Sequence, residues 1–307
     1  MPPSVTAIVV SYNSADDLPE CLESLAAQSW PDLRIVLVDN ASMDDSVEIG
    51  AGAKAEVLSL RANIGFSAAN NAGLARATSD YVLFVNPDAR LSQDFVRLLV
   101  EAMERCPRAG SATGKLLKGA MGPLDSTGIV VDRARLQPSD RGEGDCALER
   151  FDGEGARGGI MGASAAAALY RREVLMQAAP DGEVFDEDFF AYFEDVDLAW
   201  RVRSLGWSCI YVPDARCIHP RSGPWSKGTQ MRRRADINRV WTFVKNESWT
   251  WPELITMLPR QILWEALRTI SRTIQDPGYA FALARSASML PRMLRKRRLI
   301  KSLGRTN

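Results

Sequence analysis

The chain has 307 residues, 46% hydrophobic and 25% charged, and its 38 basic side chains balance 38 acidic ones. That composition excludes a disordered chain, and zero net charge supplies no global field for nucleic acid. The length suits one large domain, or one domain with an appendage, able to bury a substantial core.

The charge is uneven. From Arg260 to Arg305, eleven basic residues accompany only two acids, Glu265 and Asp276. The five cysteines, Cys21, Cys106, Cys146, Cys209 and Cys217, are odd in number and form no C-x-x-C. They read as reduced thiols of a cytosolic protein. The opening "MPPSVTAIVV" lacks a basic start and a signal-length apolar run. No stretch approaches the roughly twenty apolar residues that span a bilayer. Lying on a membrane surface stays open.

In chain order, "VTAIVVSYN" is a short apolar run of the kind that forms a buried parallel strand. Ser14 or Asp16 is placed to cap a helix carrying Leu18, Cys21, Leu22 and Leu25 on one face. "LRIVLVDN" predicts a second strand, "DDSVEIGAGA" a weak helix, "AEVLSL" a third strand and "GFSAANNAGLARAT" a helix. "DYVLFVNPDA" predicts a fourth strand, and "SQDFVRLLVEAMERC" a helix capped by Ser92 and stopped before Pro107. Such alternation predicts an α/β fold with a mostly parallel central sheet flanked by helices. Three strands end in polar signatures, "SYN", "VDNAS" and "VNPDA", and ligands of such sheets sit beyond those ends.

The middle, roughly 110–159, is rich in Gly, Asp and Arg, and "DRGEGD" and "GEGARGG" read as exposed loop. Order resumes with "GASAAAALYRREVL". A helix is predicted from Asp195 to Leu205, with Leu198, Val202 and Leu205 inward and Gly206 as its stop. "WSCIYVP" is a further strand. From Trp225 the chain turns helical, aromatic and basic. The expected division is a catalytic domain over 1–225, with halves meeting near 109/110, and a helical, basic C-terminal extension over 226–307.

Two glycine patterns are decoys. "GAGAKA" fits G-x-G-x-x-[GA] but follows a helix and precedes a strand, the reverse of a dinucleotide site. "GSATGKL" is one residue short of a P-loop and has Leu116 where a magnesium-binding hydroxyl belongs.

The order of the remaining motifs is specific where no single one is. A strand ending in Ser-Tyr-Asn is followed by "VDNASMDDS", "NIGFSAANNAG", "FVNPDA", "FDEDFFAYFEDVDLAWRVRSLGW" and "VPDARCIHPRSG". From about Val5 to Asn246 this series resembles family 2 glycosyltransferases of the GT-A fold. Within them it is most similar to the rhamnosyltransferase-like branch that builds bacterial surface polysaccharides. The resemblance implies inversion at a sugar's anomeric carbon, a nucleoside diphosphate sugar donor, and a divalent cation, Mg²⁺ or Mn²⁺, on the diphosphate. By that resemblance Asp88 is the direct metal ligand and Asn86 stands where the family often has a first acid. His219, the only histidine, either completes the metal site or is structural. Asp39 would recognise the nucleotide base, with Tyr12 and Asn13 lining the same pocket. Asn63, Asn70 and Asn71 flank a helix start near donor phosphates or ribose, although Asn70 and Asn71 also fit a helix surface.

The resemblance makes Asp195 the general base that takes the acceptor hydroxyl's proton, with Glu194 beside it. Without the family context, Asp195 reads as a helix cap. Asp197 and Arg201 have i,i+4 spacing for an ion pair, or Arg201 approaches the diphosphate. Trp200 fits an acceptor-pocket wall or core packing. Asp186, Glu187 and Asp188 fit a loop near the acceptor or exposed turn acids. Arg232 to Arg234 fit diphosphate contact or a solvated face, and Asn238 and Arg239 match the family's Arg-Asn segment.

Apolar residues at helical spacing from Leu258 to Ile270, beside later basic clusters, suit an anionic membrane surface, or packing on the catalytic domain or a second subunit. The acceptor implied by the branch is a polysaccharide or a polyprenyl diphosphate-linked glycan, met from the cytoplasmic face. The donor implied is a dTDP-deoxysugar such as dTDP-rhamnose. The rivals are a UDP-sugar hexosyl- or N-acetylhexosaminyltransferase, and a catalytically silent nucleotide-sugar-binding protein.

Overall fold

In the computed structural model, which describes residues 2–153, 159–221 and 228–303, the alternation predicted for the first hundred residues is present. Strands β1 (Val5–Ser11), β2 (Leu33–Asp39), β3 (Glu56–Ser59) and β4 (Tyr81–Val85) alternate with helices α1 (Leu18–Ala26), α2 (Ser46–Gly52) and α3 (Phe66–Leu74). β1 and β4 are buried along their whole length, as their unbroken apolar runs require. The two-residue β5 (Arg90–Leu91) leads into α4 (Phe95–Arg105), which buries Phe95, Val96, Leu99, Val100 and Met103 on one face.

The helix starts differ from expectation. Asp17 precedes α1 and Asp94 precedes α4, neither with a side-chain cap bond. Ser14 and Ser92 act through their carbonyls, which accept the amides of Leu18 and Phe95 at 2.9 Å. One tight turn therefore separates each serine from the helix it was expected to cap.

The Gly-rich middle contains more order than its composition implies. It supplies β6 (Ala109–Leu117), β7 (Leu124–Ser126), and the hairpin of β8 (Ile129–Asp132) and β9 (Gln137–Asp140). All nine residues of β6 are buried. Gly114 is needed there because a Cβ would stand 2.1 Å from the Ala215 carbonyl oxygen. Lys115 is buried against Asp152 at 2.8 Å. The second decoy is thus a central strand. The first falls on α2, where a Cβ on Gly50 would lie 2.1 Å from Leu37 Cδ2, so that glycine lets the helix approach the sheet. "DRGEGD" follows β9 as a turn, whereas most of "GEGARGG" lies outside the described residues.

Next come β10 (Ala167–Arg171), α5 (Arg172–Gln177), α6 (Glu194–Ser204) and β11 (Ser208–Ile218). Gly206, at φ 86°, ends α6 as predicted. The nine-stranded sheet runs β3-β2-β1-β4-β10-β6-β11-β5, with β7 on β6. Its first four strands are parallel, β10 is antiparallel to both neighbours, and β6 and β11 are again parallel.

Helices α7 (Thr229–Asn246), α8 (Trp251–Thr256), α9 (Leu258–Gln275), α10 (Gly278–Ser286) and α11 (Leu290–Leu303) follow. The boundary expected at 225/226 lies outside the described residues. Met293 on α11 packs with Trp241 on α7 and Phe189, a third apolar cluster separate from the two that flank the sheet.

Candidate active site

Ser11 and Asp39 are paired in register at the ends of β1 and β2. Asn13, at φ 51°, turns the chain there; its amide donates to Ser42 Oγ and its side-chain oxygen accepts the Met43 amide. Ser42 in turn donates its amide to Asp39 Oδ2 at 3.2 Å, so Asn13 and Asp39 share one turn. Asp39 is buried, and its Oδ1 has no hydrogen-bond partner, like the neighbouring Ser11 Oγ. Leaving a buried carboxylate oxygen unsatisfied costs about 1–3 kcal/mol or more, a cost that a ligand donor would relieve. Tyr12 is half-buried beside this turn.

Asn63 accepts from the Asn40 amide group and from the Gly65 backbone, which ties the start of α3 to the end of β2. Gly65 has φ 89°, and a Cβ there would meet Phe190 at 2.5 Å. Asn70 is buried and donates to Phe66 within its own helix, away from the strand ends. Asn71 binds the backbone of Phe185 in both directions. The hydrogen bonds of both side chains run to the backbone of Phe66 and Phe185 and to the Glu187 carboxylate.

Asn86 and Asp88 form the turn after β4. Asp88 is buried, with Oδ1 3.3 Å from His219 Nε2. The other ring nitrogen, Nδ1, lies 2.7 Å from Asp125 Oδ2. Asp125 also accepts from Arg221, which reaches on to Asp140 at 2.6 Å. Burial opposes a charge on His219, but Asp125 and Asp88 hold its proton and raise its pKa to about 9. The Asn86 amide stands 3.1 Å from Nε2; an imidazolium there takes the amide oxygen, by a flip of that side chain.

A carboxylate oxygen and an imidazole nitrogen side by side, the imidazole held by a second carboxylate, fit a divalent cation. Among the described residues no group of three or more His, Cys, Asp and Glu forms a full protein cage. These two donors would hold the cation and leave its remaining positions to diphosphate oxygens.

Asp195 is the second residue of α6. Phe193, in the left-handed conformation, occupies the cap position, so Asp195 is not the cap. Its oxygens accept the amides of Ala165 at 3.1 Å and Val196 at 2.8 Å. Burial, followed by the charge of Asp140, raises its pKa to about 6 despite those bonds. Asn86 donates its amide to Ala166, the residue after Ala165, so Asp195 and the Asp88 turn hang on consecutive residues. Glu194 is buried, and burial with the neighbouring charge of Asp195 pushes its carboxyl well above the ordinary range.

Of the other acids of "FDEDFFAYFEDVD", Glu187 is exposed in a 3₁₀ turn and accepts from Asn71, as a turn acid would, whereas the rest are held by basic side chains. Asp186 is buried between Lys245 and Lys296, and Asp188 meets Lys296 and Arg292. The Asp197–Arg201 pair forms as spaced, at 3.0 Å, but is buried rather than exposed. Arg201 also donates to the carbonyls of Ala178 and Val184, which uses its guanidinium inside the protein rather than on a diphosphate. Trp200 packs edge-on against Phe243, with ring centres 5.1 Å apart. Arg233 pairs with Asp276, Arg234 stacks over Phe190, and Arg239 pairs with Glu265. Asn238 lies 2.9 Å from the carbonyls of Phe189, Ala191 and Tyr192.

Sequence reasoning missed Asn40, Asp125, Asp140, Arg221, Lys245 and Lys296. Asn40 had a signal, since it sits in the strand-end motif "VDNAS". Asp125 had none, because its partner lies 94 residues away.

The chain matches "Glycosyl transferase family 2" over residues 6–143 and "Glycosyl transferase family group 2" over residues 81–294. It is 26% identical over 277 residues to the N-acetylglucosaminyl-diphospho-decaprenol L-rhamnosyltransferase of Mycobacterium tuberculosis, covering 80% of this chain and 85% of that one. An N-acetylglucosaminyltransferase of Rhizobium sp. is 28% identical over 73% of this chain and 50% of its own. A mannosyltransferase from Pyrobaculum calidifontis, solved with GDP-Man and Mn²⁺, superposes with TM-score 0.57 at 22% identity, covering 94% of this chain and 76% of that one. The sheet and its flanking helices are a GT-A fold, and the chain belongs to glycosyltransferase family 2.

Proposed function

We propose that this enzyme is an inverting, metal-dependent glycosyltransferase that moves rhamnose from dTDP-rhamnose to a polyprenyl diphosphate-linked glycan or a polysaccharide. The observation that carries the reading is the suspension of Asp195 and the Asn86–Asp88 turn from the adjacent residues Ala165 and Ala166. A base and a diphosphate site must face one anomeric carbon, and this backbone link fixes their separation.

In the mechanism, Asp39 Oδ1 accepts the imide N–H of a thymine or uracil ring, which pairs the orphaned oxygen. The Asn13 and Tyr12 turn borders the base, and Asn63 stands at the entrance to α3. Asp88 and His219 would hold a divalent cation, which when bound would offset the charge of the leaving diphosphate. Asp195 takes the proton of the acceptor hydroxyl. That oxygen forms the new bond to the anomeric carbon as the bond to the donor phosphate breaks on the opposite face, inverting the centre. A base with pKa about 6 is ionised at neutral pH and basic enough to accept the proton.

The rhamnosyltransferase relative favours rhamnose and a lipid-linked acceptor. The Rhizobium relative supports the second reading, an N-acetylhexosaminyl transfer from a UDP-sugar. No helix among the described residues is long and apolar enough to cross a membrane. Contact with a lipid-linked acceptor would come through α8 and α9, which expose Trp251 (81%), Ile255, Ile262, Leu263, Leu267, Ile270 and Ile274 (77%). Arg260, on α9 itself, is exposed, as are Arg285, Arg295 and Arg298 on the helices that follow, so peripheral attachment to the inner face of an anionic membrane fits this basic, apolar extension.

Transfer assays with dTDP-rhamnose, UDP-N-acetylglucosamine and UDP-glucose, each with polyprenyl diphosphate-N-acetylglucosamine and Mn²⁺ or Mg²⁺, test the reading. Rhamnosyl transfer alone is the expected result. Transfer only from a UDP-sugar selects the second reading, and binding without turnover of any donor rejects an enzyme of either kind.

A further inference from the structure

The geometry points to Lys296 on α11 and Lys245 on α7 as positioning residues for the loop that delivers Asp195, so that the C-terminal helices complete the acceptor side of the site. This rests on the reading of Asp195 as the base.

The loop from Phe185 to Phe193 has one short turn of 3₁₀ helix and little regular backbone pairing. Phe190, Tyr192 and Phe193 are all left-handed, with φ between 62° and 72°. A non-glycine run of that kind does not hold itself; surrounding contacts must determine it. Three elements supply them. From α3, Ser67 donates to the Phe190 carbonyl and Asn71 brackets Phe185. From α7, Asn238 reaches three loop carbonyls. The third hold is ionic and comes partly from the far end of the chain.

Lys296 Nζ stands 2.9 Å from Asp188, 3.3 Å from Glu183, and in direct contact with Asp186. Lys245 bridges Asp186 to Asp197, which lies two residues past the base on the same helix. Arg292 adds a more exposed bond to Asp188 at 2.7 Å. Both lysines and both of the acids that Lys245 joins are buried. The loop is therefore clamped to α6 on one side and to α11 on the other. Buried ion pairs are a poor choice for stability alone, since apolar residues of similar volume serve as well. They do impose one geometry, which a base placed after three left-handed residues needs.

Two further consequences follow. Without α11 the loop would lose the Lys296 and Arg292 contacts and keep only its holds from α3 and α7. The apolar helices α8 and α9 are tied to the same body as the clamp, because Arg239 on α7 pairs with Glu265 on α9.

The test uses full-length wild type, Lys296→Met, Lys296→Arg and the milder Arg292→Ala. Hydrogen exchange is read on peptides covering 185–198 and, as control, β1 to β4. Nucleotide affinity is read by calorimetry and transfer by kcat and KM. For Lys296→Met, faster exchange is expected in 185–198 and not in the control strands. Nucleotide affinity should stay within about twofold while kcat falls about tenfold or more, the sensitivity expected of a misplaced reacting group. Lys296→Arg should restore most of both, and Arg292→Ala should move both slightly in the same direction. Unchanged exchange in 185–198 in a folded Lys296→Met protein overturns the proposal, as does an equal loss of nucleotide affinity and kcat. If Lys296→Met does not fold, the same two readouts on Arg292→Ala decide, with unchanged exchange again overturning it. Loop exchange that responds while no donor is turned over by wild type leaves the clamp standing and rejects the transferase reading instead.

Discussion

His219 Nδ1 and Asp125 Oδ2 lie 2.7 Å apart, both nearly inaccessible to solvent. The carboxylate fixes which ring nitrogen keeps its proton, and so turns Nε2 toward Asp88. Asp125→Asn should weaken Mn²⁺-dependent nucleotide binding by about 10- to 100-fold, with nucleotide binding in EDTA unchanged. Calorimetry with and without metal checks this, and equal loss in both conditions would show a general disturbance of the pocket.

Asp88→Ala removes the carboxylate beside His219 Nε2. Metal-dependent donor binding should be lost, while the Asp39 turn is untouched. Metal binding must also displace the His219 proton, which Asp125 and Asp88 hold with a pKa of about 9. Between pH 6 and 8 the apparent Mn²⁺ affinity should therefore climb by about tenfold per unit. A flat profile in wild type would remove His219 from the metal site.

Much of the first hundred residues was legible in sequence, and the reason is local. β1, β2 and β4 announce themselves as apolar runs, and their strand ends carry Asn13, Asp39 and Asp88 within a few residues of the last apolar position. The stretch from Phe185 to Arg201 was legible only as a motif. Asp186 looked like a turn acid because its partners, Lys245 and Lys296, lie 59 and 110 residues away. β6 looked like loop because glycines and a lysine were weighed by composition, whereas close strand approach and an ion pair to Asp152 explain them. Pairings at such separations are set by tertiary packing, which spacing does not encode.

The surface of α8 and α9 gives a separable prediction. Replacing Ile262, Leu267, Ile270 and Ile274 with Ser removes exposed apolar area without touching the sheet. Cosedimentation with anionic vesicles should fall, while turnover of a short, detergent-soluble acceptor stays near wild type. Undiminished vesicle binding would assign those side chains another role.

Asp195→Asn should separate chemistry from stability. Without a base, kcat should drop by about 10²–10⁴, with calorimetric donor affinity retained. In wild type, log kcat should rise with pH through about 6 and then level, since the ionised carboxylate is the active form. The stability effect has the opposite sign. The folded carboxyl has a pKa above its ordinary value of 3.8, so its contribution is full below that value and is lost as pH rises through about 6. At pH 7.5 wild type carries the penalty of a buried charge, and the amide does not. Asp195→Asn should then gain on the order of 1–3 kcal/mol, a rise of several degrees in Tm. That gain should vanish when the comparison is repeated near pH 4. A less stable Asp195→Asn at pH 7.5 would mean that the carboxylate stabilises the fold through its contacts with Ala165 and Val196 instead of being strained there for chemistry.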